Sequence, residues 1–230
     1  SIDGIHVHSG SDISDINSFI KGAKTVFNLA FQFKNIKHID LGGGFKVPYF
    51  KEDSFTDMEV LGKKISVEFN NFKQEYKKDI SLIFEPGKYL VSEAGFFLTE
   101  VNYIKEGSKN KFAQINSGFN HFIRPALYNS FHEIENISNI NAKKEKYSVV
   151  GYICENDTFA EDREIAKINK GDILCFKNAG AYGFSMSSNY NSRYTPAEVC
   201  FYNNEFNLIR KPQEIDDLLN NQIIIDFKKT

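Results

Sequence analysis

An α/β half followed by a β-rich half is the fold that this sequence predicts, on three observations. Over the first ~95 residues, short apolar runs alternate with longer amphipathic stretches. A triple glycine, Gly42-Gly43-Gly44, leaves one of those runs. After Gly95 the long stretches stop, and strand-like runs are separated by turns.

Gly4-Ile5-His6-Val7-His8 reads as a short strand, and Ser9-Gly10-Ser11-Asp12 ends it with helix-capping chemistry. From Ile13 to Phe33, Ile16, Phe19, Ile20, Ala23, Val26, Phe27 and Ala30 recur at three- and four-residue steps, the stripe of an amphipathic helix. A strand near Lys37–Leu41 then runs into the glycines. A second helix is expected from about Thr56 to Lys77, with Met58, Leu61, Ile65, Phe69, Phe72 and Tyr76 on its apolar face. Ile80–Phe84 is the next strand, closed by Glu85-Pro86-Gly87-Lys88. Strands joined through helices are parallel. His8, Ser11, the glycines and Glu85 each stand just past a strand's C-terminal end, where parallel α/β folds bind ligands.

In the second half, Phe96–Ile104, Lys111–Asn116, Tyr147–Cys154, Asp172–Lys177 and Ala197–Tyr202 read as strands, with a hairpin tip at Asn203-Asn204-Glu205 and a short helix at Gln213–Leu219. The lysine-rich stretch Ala142–Lys146 is expected to be a solvated loop.

Composition excludes several classes of function. With 230 residues and 41% hydrophobic content, the chain can bury a sizeable core. A formal charge of −2 gives no general pull toward nucleic acid or an anionic membrane. No run approaches the ~18 apolar residues that span a bilayer, and the first residues do not read as a signal peptide. Cys154, Cys175 and Cys200 are widely spaced, with neither a Cys-x-x-Cys pair nor zinc-ligand spacing. Neither a disulfide framework nor a metal is expected, and a reducing cytoplasm is the expected compartment. Because Ser1–Val7 reads as the middle of a strand, the chain is expected to continue upstream of Ser1.

Several residues carry candidate chemistry. The glycine triplet brings bare backbone N–H groups near an anion, or is simply a tight turn. His8 is either a strand-end histidine or an imidazole stacked on a planar ligand, with the Ser11 hydroxyl on an anion. Glu85, fixed by Pro86, suits a protonated heterocyclic nitrogen or a salt bridge. Arg124, among apolar residues, either meets a carboxylate with its planar fork, joined by the Tyr128 hydroxyl, or snorkels to the surface. Cys154 and Glu155 offer a proton donor beside a cation-binding group, or a structural thiol beside a surface carboxylate. Cys175 and Cys200 read as structural. Asn178–Gly183 is a small-residue loop whose one tyrosine, Tyr182, has a hydroxyl for a phosphate.

The motifs HVHSGS, DLGGGF, FEPGK, SGFNHFIRPALY, VVGYICEND and NAGAYGFSMSSNYN follow one another in this order from His6 to Asn191. Together they make the chain resemble the fold-type III pyridoxal-phosphate decarboxylases, and within them the diaminopimelate decarboxylase group, to which the Arg-Pro-Ala-Leu-Tyr element points. The resemblance implies the C-terminal part of a pyridoxal 5′-phosphate-binding (β/α)8 barrel, over residues 1–95, followed by a β-rich C-terminal domain over 96–230. It implies a head-to-tail homodimer with shared active sites, acting on an amino acid and converting meso-2,6-diaminopimelate to L-lysine. Another amino acid substrate, or a non-catalytic homologue, is the alternative.

The same resemblance implies residue roles. His8 stacks on the cofactor ring. Ser11, Gly42, Gly43, Gly44 and Tyr182 hold its phosphate. Glu85, in the Glu85-Pro86-Gly87-Lys88 turn, pairs with the pyridine nitrogen. Lys88 contacts phosphate or substrate, although the family has arginine there and lysine lacks the bidentate fork. Arg124, Tyr128 and Tyr182 take substrate. From the partner subunit, Glu155 binds the distal amino group, and Cys154 protonates the carbon that lost carbon dioxide. Asn116 and Asn178 stand where aspartate is common. The lysine that holds the cofactor aldehyde belongs to an early barrel strand with no match here. A half-barrel has open sheet edges, so this chain is not expected to fold alone.

Overall fold

The computed structural model describes residues 2–108, 110–225 and 227; Ser1 lies outside them. The chain forms two compact units, Ser1–Phe96 with Lys177–Ala181 and Phe97–Phe176 with Tyr182–Thr230.

In the first unit β1 (Gly4–His6), β2 (His38–Gly43) and β3 (Ser81–Glu85) form a parallel sheet in that order. The crossovers are α1 (Ile16–Ala30) and α2 (Met58–Tyr76). Asp15 caps α1 by accepting from the Asn17 N–H at 3.0 Å, and Asp57 caps α2 by accepting from Glu59 and Val60. α1 starts three residues later than its apolar period predicts. Asp12 has a left-handed backbone, φ +57°, and Ile13 instead donates its N–H to Gly44 at 2.8 Å. Phe19, Ala23, Val26 and Phe27 of α1, Leu61, Ile65 and Phe72 of α2, and Ile39 and Leu41 of β2 form one core. Phe27 and Phe72 stack with centroids 5.1 Å apart.

The sheet's two faces differ. Leu82 and Phe84 of β3 pack against that core, while Ser81, Ile83 and Glu85 are exposed, as the period-2 alternation of a strand requires. His6 of β1 is exposed and Asp40 of β2 half-buried. The C-terminal strand ends therefore carry the polar groups. After β3, Pro86 leads into the short α3 (Gly87–Val91), where the sequence suggests only a turn.

In the second unit, β4 (Phe97–Glu106), β5 (Lys111–Ile115), β6 (Ile134–Asn136), β7 (Lys144–Val150), β8 (Thr158–Ala166) and β9 (Ile173–Phe176) form a sheet in the order β6-β9-β4-β5-β7-β8. Among the described residues only the β5–β7 pair of this sheet is parallel. The edge strands β6 and β8 meet, so the sheet nearly closes. β10 (Glu198–Tyr202) and β11 (Glu205–Arg210) form a hairpin whose tip residues Asn203 and Asn204 both have positive φ, the turn chemistry that asparagine favours. α5 (Ile215–Leu219) begins at a reciprocal Glu214/Asp217 capping box.

One expectation fails here. Lys144–Lys146 is not a loop but the start of β7, pairing with Glu164–Ala166. Its lysines are exposed and Glu145 points inward to Lys111, so the charges hide a period-2 pattern. β8 escapes the sequence reading because its apolar ends flank the charged run Glu161-Asp162-Arg163-Glu164. Among the described residues no helix is long and apolar enough to cross a membrane.

Candidate active site

At the strand ends of the first unit the glycine triplet is packed tightly against backbone. A Cβ on Gly43 would strike the Glu85 carbonyl, and one on Gly44, at φ +86°, would strike the Gly10 carbonyl. The loop that bears Ser11, the glycine loop and the end of β3 thus meet only because no side chain stands between them. Two of the glycine N–H groups have internal acceptors: Gly42 donates to Asp40 Oδ1 at 2.8 Å and Gly43 to His8 Nδ1 at 3.3 Å. The latter bond leaves the His8 proton on Nε2. His8 and Ser11 are exposed.

Glu85 is exposed at the end of its strand. Its side chain is 53% exposed and accepts from His6 Nε2 at 3.3 Å, because it falls on the open face of β3. His6, Asp40 and Glu85 each bring one ligand atom within 4.8 Å of the others. The three are 34 and 45 positions apart in sequence, so a search for short metal-ligand spacings passes over them. A cation between the two carboxylates, whether imidazolium or a ligand's protonated nitrogen, offsets their repulsion.

Lys88, in α3, is buried and its ammonium is ion-paired to Asp12. It also lies 5.5 Å from the centre of the Tyr49 ring. The pair ties the loop carrying Ser11 to the helix that follows Glu85-Pro86.

In the second unit Arg124 is the first residue of a helix unmarked in the sequence reading, α4 (Arg124–Tyr128). It is buried, not snorkelling: its guanidinium carbon lies 5.9 Å from the Tyr128 ring centre and 5.8 Å from that of Tyr182, and Nη2 donates to Ser130 at 3.4 Å. Tyr182 holds φ +58°, rare for a bulky residue and a mark of functional loops. The small residues before it admit backbone, not ligand: Ala179 donates to the Gly95 carbonyl at 2.8 Å, and a Cβ on Gly180 would strike that of Val91.

Cys154 and Glu155 occupy an exposed turn after β7. The Cys154 thiol donates to Glu155 Oε2 at 3.3 Å, and the Tyr190 hydroxyl donates to Oε1. The Tyr190 bond, then the thiol, hold the Glu155 carboxyl below its ordinary value. Asn191 Nδ2 reaches the Cys154 sulfur at 3.7 Å. The turn is clamped by Asp157, whose buried carboxylate accepts from the N–H groups of Phe119 at 2.7 Å and Ile153 at 2.8 Å. Tyr190, Asn191 and Asp157 lie inside the motifs VVGYICEND and NAGAYGFSMSSNYN, but nothing in their spacing assigns them a role. Cys175 is buried in β9 and Cys200 half-buried in β10.

The family described as pyridoxal-dependent decarboxylase, C-terminal sheet domain, matches residues 56–180, more than half of the chain. The chain belongs to the pyridoxal-dependent decarboxylases. The family's pyridoxal binding domain matches residues 1–92. A diaminopimelate decarboxylase of Methanothermobacter thermautotrophicus is 40% identical over 227 residues, covering 95% of this chain and 53% of that protein. The crystal structure of diaminopimelate decarboxylase from Methanocaldococcus jannaschii in co-complex with L-lysine superposes with a TM-score of 0.89 at 34% identity, over 98% of this chain and 52% of that one. That from Helicobacter pylori complexed with L-lysine gives 0.83 at 30% identity, over 95% and 54%. The chain spans about half the length of the curated relatives it matches.

The first unit fits the cofactor of a pyridoxal-dependent decarboxylase. An exposed carboxylate, an exposed imidazole and an exposed hydroxyl surround a loop packed too closely for any Cβ. That donor set suits a ring with a protonated nitrogen and an anionic arm.

Proposed function

We propose that the protein containing this chain decarboxylates meso-2,6-diaminopimelate to L-lysine with pyridoxal 5′-phosphate, as a cytoplasmic homodimer whose protomers share their active sites. One observation carries the reading. The second unit holds a buried arginine between two tyrosine rings and, separately, an exposed thiol–carboxylate pair. Arg124 offers a planar fork to a carboxylate, and Glu155 a negative charge to an ammonium. Those are the groups needed by a substrate with an amine and a carboxylate at both ends. The relatives' names, and the L-lysine named in two neighbours' titles, support the same substrate.

When bound, the cofactor supplies an electron sink for the pair left as carbon dioxide departs. Glu85, oriented by Pro86, Gly87 and His6, would accept a hydrogen bond from the ring N–H and so keep that nitrogen protonated. His8 would face the ring, and Ser11 with the loop of Gly42, Gly43 and Gly44 would hold the phosphate. Lys88 shapes that cradle through Asp12, since its ammonium is already engaged. Arg124 and Tyr128 orient a substrate carboxylate, and Tyr182 adds a hydroxyl to an anion. In the partner protomer's site, Glu155 holds the distal ammonium and Cys154 delivers a proton to carbon.

The test is lysine release from meso-diaminopimelate by the full-length, cofactor-loaded protein. Lysine should appear, and E155Q should raise KM. Decarboxylation of L-ornithine or L-lysine without activity on diaminopimelate would overturn the reading.

A further inference from the structure

We infer that Tyr190 and Asn191 are positioning residues for the Cys154–Glu155 pair, with Tyr190 holding Glu155 so that its carboxylate stays hydrogen-bonded to the Cys154 thiol. The proposal rests on the decarboxylase reading only for the use made of that thiol. The network itself is geometric. Glu155 accepts on both oxygens, from Tyr190 on Oε1 and from the Cys154 thiol on Oε2. A carboxylate fixed on one side by a phenol cannot turn away from the thiol on its other side. Its Oε2, 3.3 Å from the sulfur, keeps the thiol hydrogen turned toward the carboxylate. Asn191 Nδ2 meets the same sulfur as a donor at 3.7 Å.

The turn that carries both residues is held rigidly. Asn191 and Ser192 have φ +53° and +54°, a backbone that persists only where its surroundings enforce it. Asn189 Nδ2 closes the turn on the Arg193 carbonyl at 2.8 Å, and His121 Nε2 lies 2.7 Å from the Tyr194 carbonyl oxygen. The Tyr190 ring packs on Phe119 with centroids 5.5 Å apart, and the Phe119 N–H is bound by the same Asp157 that clamps the Cys154 turn. The groups facing Cys154 and Glu155 are thus Tyr190 and Asn191 from one turn, with Asp157 on their own.

The experiment is alkylation of Cys154 by iodoacetamide in the full-length, cofactor-loaded protein at neutral pH without substrate, read by peptide mass spectrometry. Removing the charge with E155Q should speed alkylation by roughly five- to tenfold. Y190F, which keeps the ring, should speed it by about two- to fivefold, and Y190F/E155Q should be no faster than E155Q alone. N191A should slow it. Labelling of buried Cys175 reports any unfolding; should Y190F expose Cys175, N191A carries the test alone. An unchanged rate in folded Y190F, an effect of Y190F that multiplies onto E155Q, or a faster N191A would overturn the proposal. Lysine release is measured separately, so a failed substrate assignment leaves these rates interpretable.

Discussion

Replacing Asp157 by alanine should loosen the turn that carries Cys154 and Glu155 more than any change to those residues themselves. The carboxylate accepts from two main-chain donors, Phe119 at 2.7 Å and Ile153 at 2.8 Å, and the residue is only 6% exposed. Each buried N–H left without an acceptor costs about 1–3 kcal/mol. Part of that loss is offset, because alanine also removes the burial penalty of a carboxylate. A net destabilisation of about 3 kcal/mol is expected, and roughly half of that for asparagine, which keeps one acceptor oxygen. Gly118 and Gly151 lie against the carboxylate closely enough that a Cβ on either would strike it, so the lost side chain leaves a gap that neighbouring side chains do not fill. Amide hydrogen exchange reads this locally. The Phe119 and Ile153 amides should exchange roughly a hundredfold faster in D157A than in wild type, while amides of α1 and α2 stay unchanged. Exchange at wild-type rates at both positions would refute the clamp.

Three further outcomes follow from the structure. Burial pushes the Asp157 carboxyl above its ordinary value, against the two backbone bonds that lower it. The folded state therefore binds this proton more tightly than the unfolded chain, and wild type should gain stability relative to D157N as pH falls through the raised value toward the ordinary carboxylate range; urea midpoints of both proteins across about pH 4–7 check the sign. Gly44→Ala forces a Cβ into the Gly10 carbonyl at φ +86°, and should cost at least about 2 kcal/mol and abolish pyridoxal phosphate binding, read by absorbance titration. Asp12→Ala strands the buried Lys88 ammonium and should cost about 2 kcal/mol. Lys88→Met leaves only the 44% exposed Asp12 unpaired, so it should cost less than half as much by urea denaturation.

Local pattern alone carries part of this fold. The apolar steps from Ile16 to Ala30 and from Met58 to Tyr76 specify two helices, because a 3.6-residue period survives any tertiary context that buries one face. Gly43 and Gly44 mark a close backbone approach, and the Asn203-Asn204 tip a hairpin, since few residues tolerate those conformations. His8, Glu85, Arg124 and Cys154-Glu155 stand out as candidates because each is a reactive group beside a strand end or inside an apolar run. Other features depend on residues far apart in the chain and emerge only on folding. Glu85 meets His6 rather than a buried partner because parallel pairing sets β1, β2 and β3 in register, and the alternation of β3 turns its polar side outward. Lys88 meets Asp12, 76 positions away, and Tyr190 meets Glu155, 35 positions away. β8 and the start of β7 stayed hidden because charged residues facing solvent mask a strand's period until its partner is known. Contacts of that kind are fixed by packing, which no local window of sequence contains.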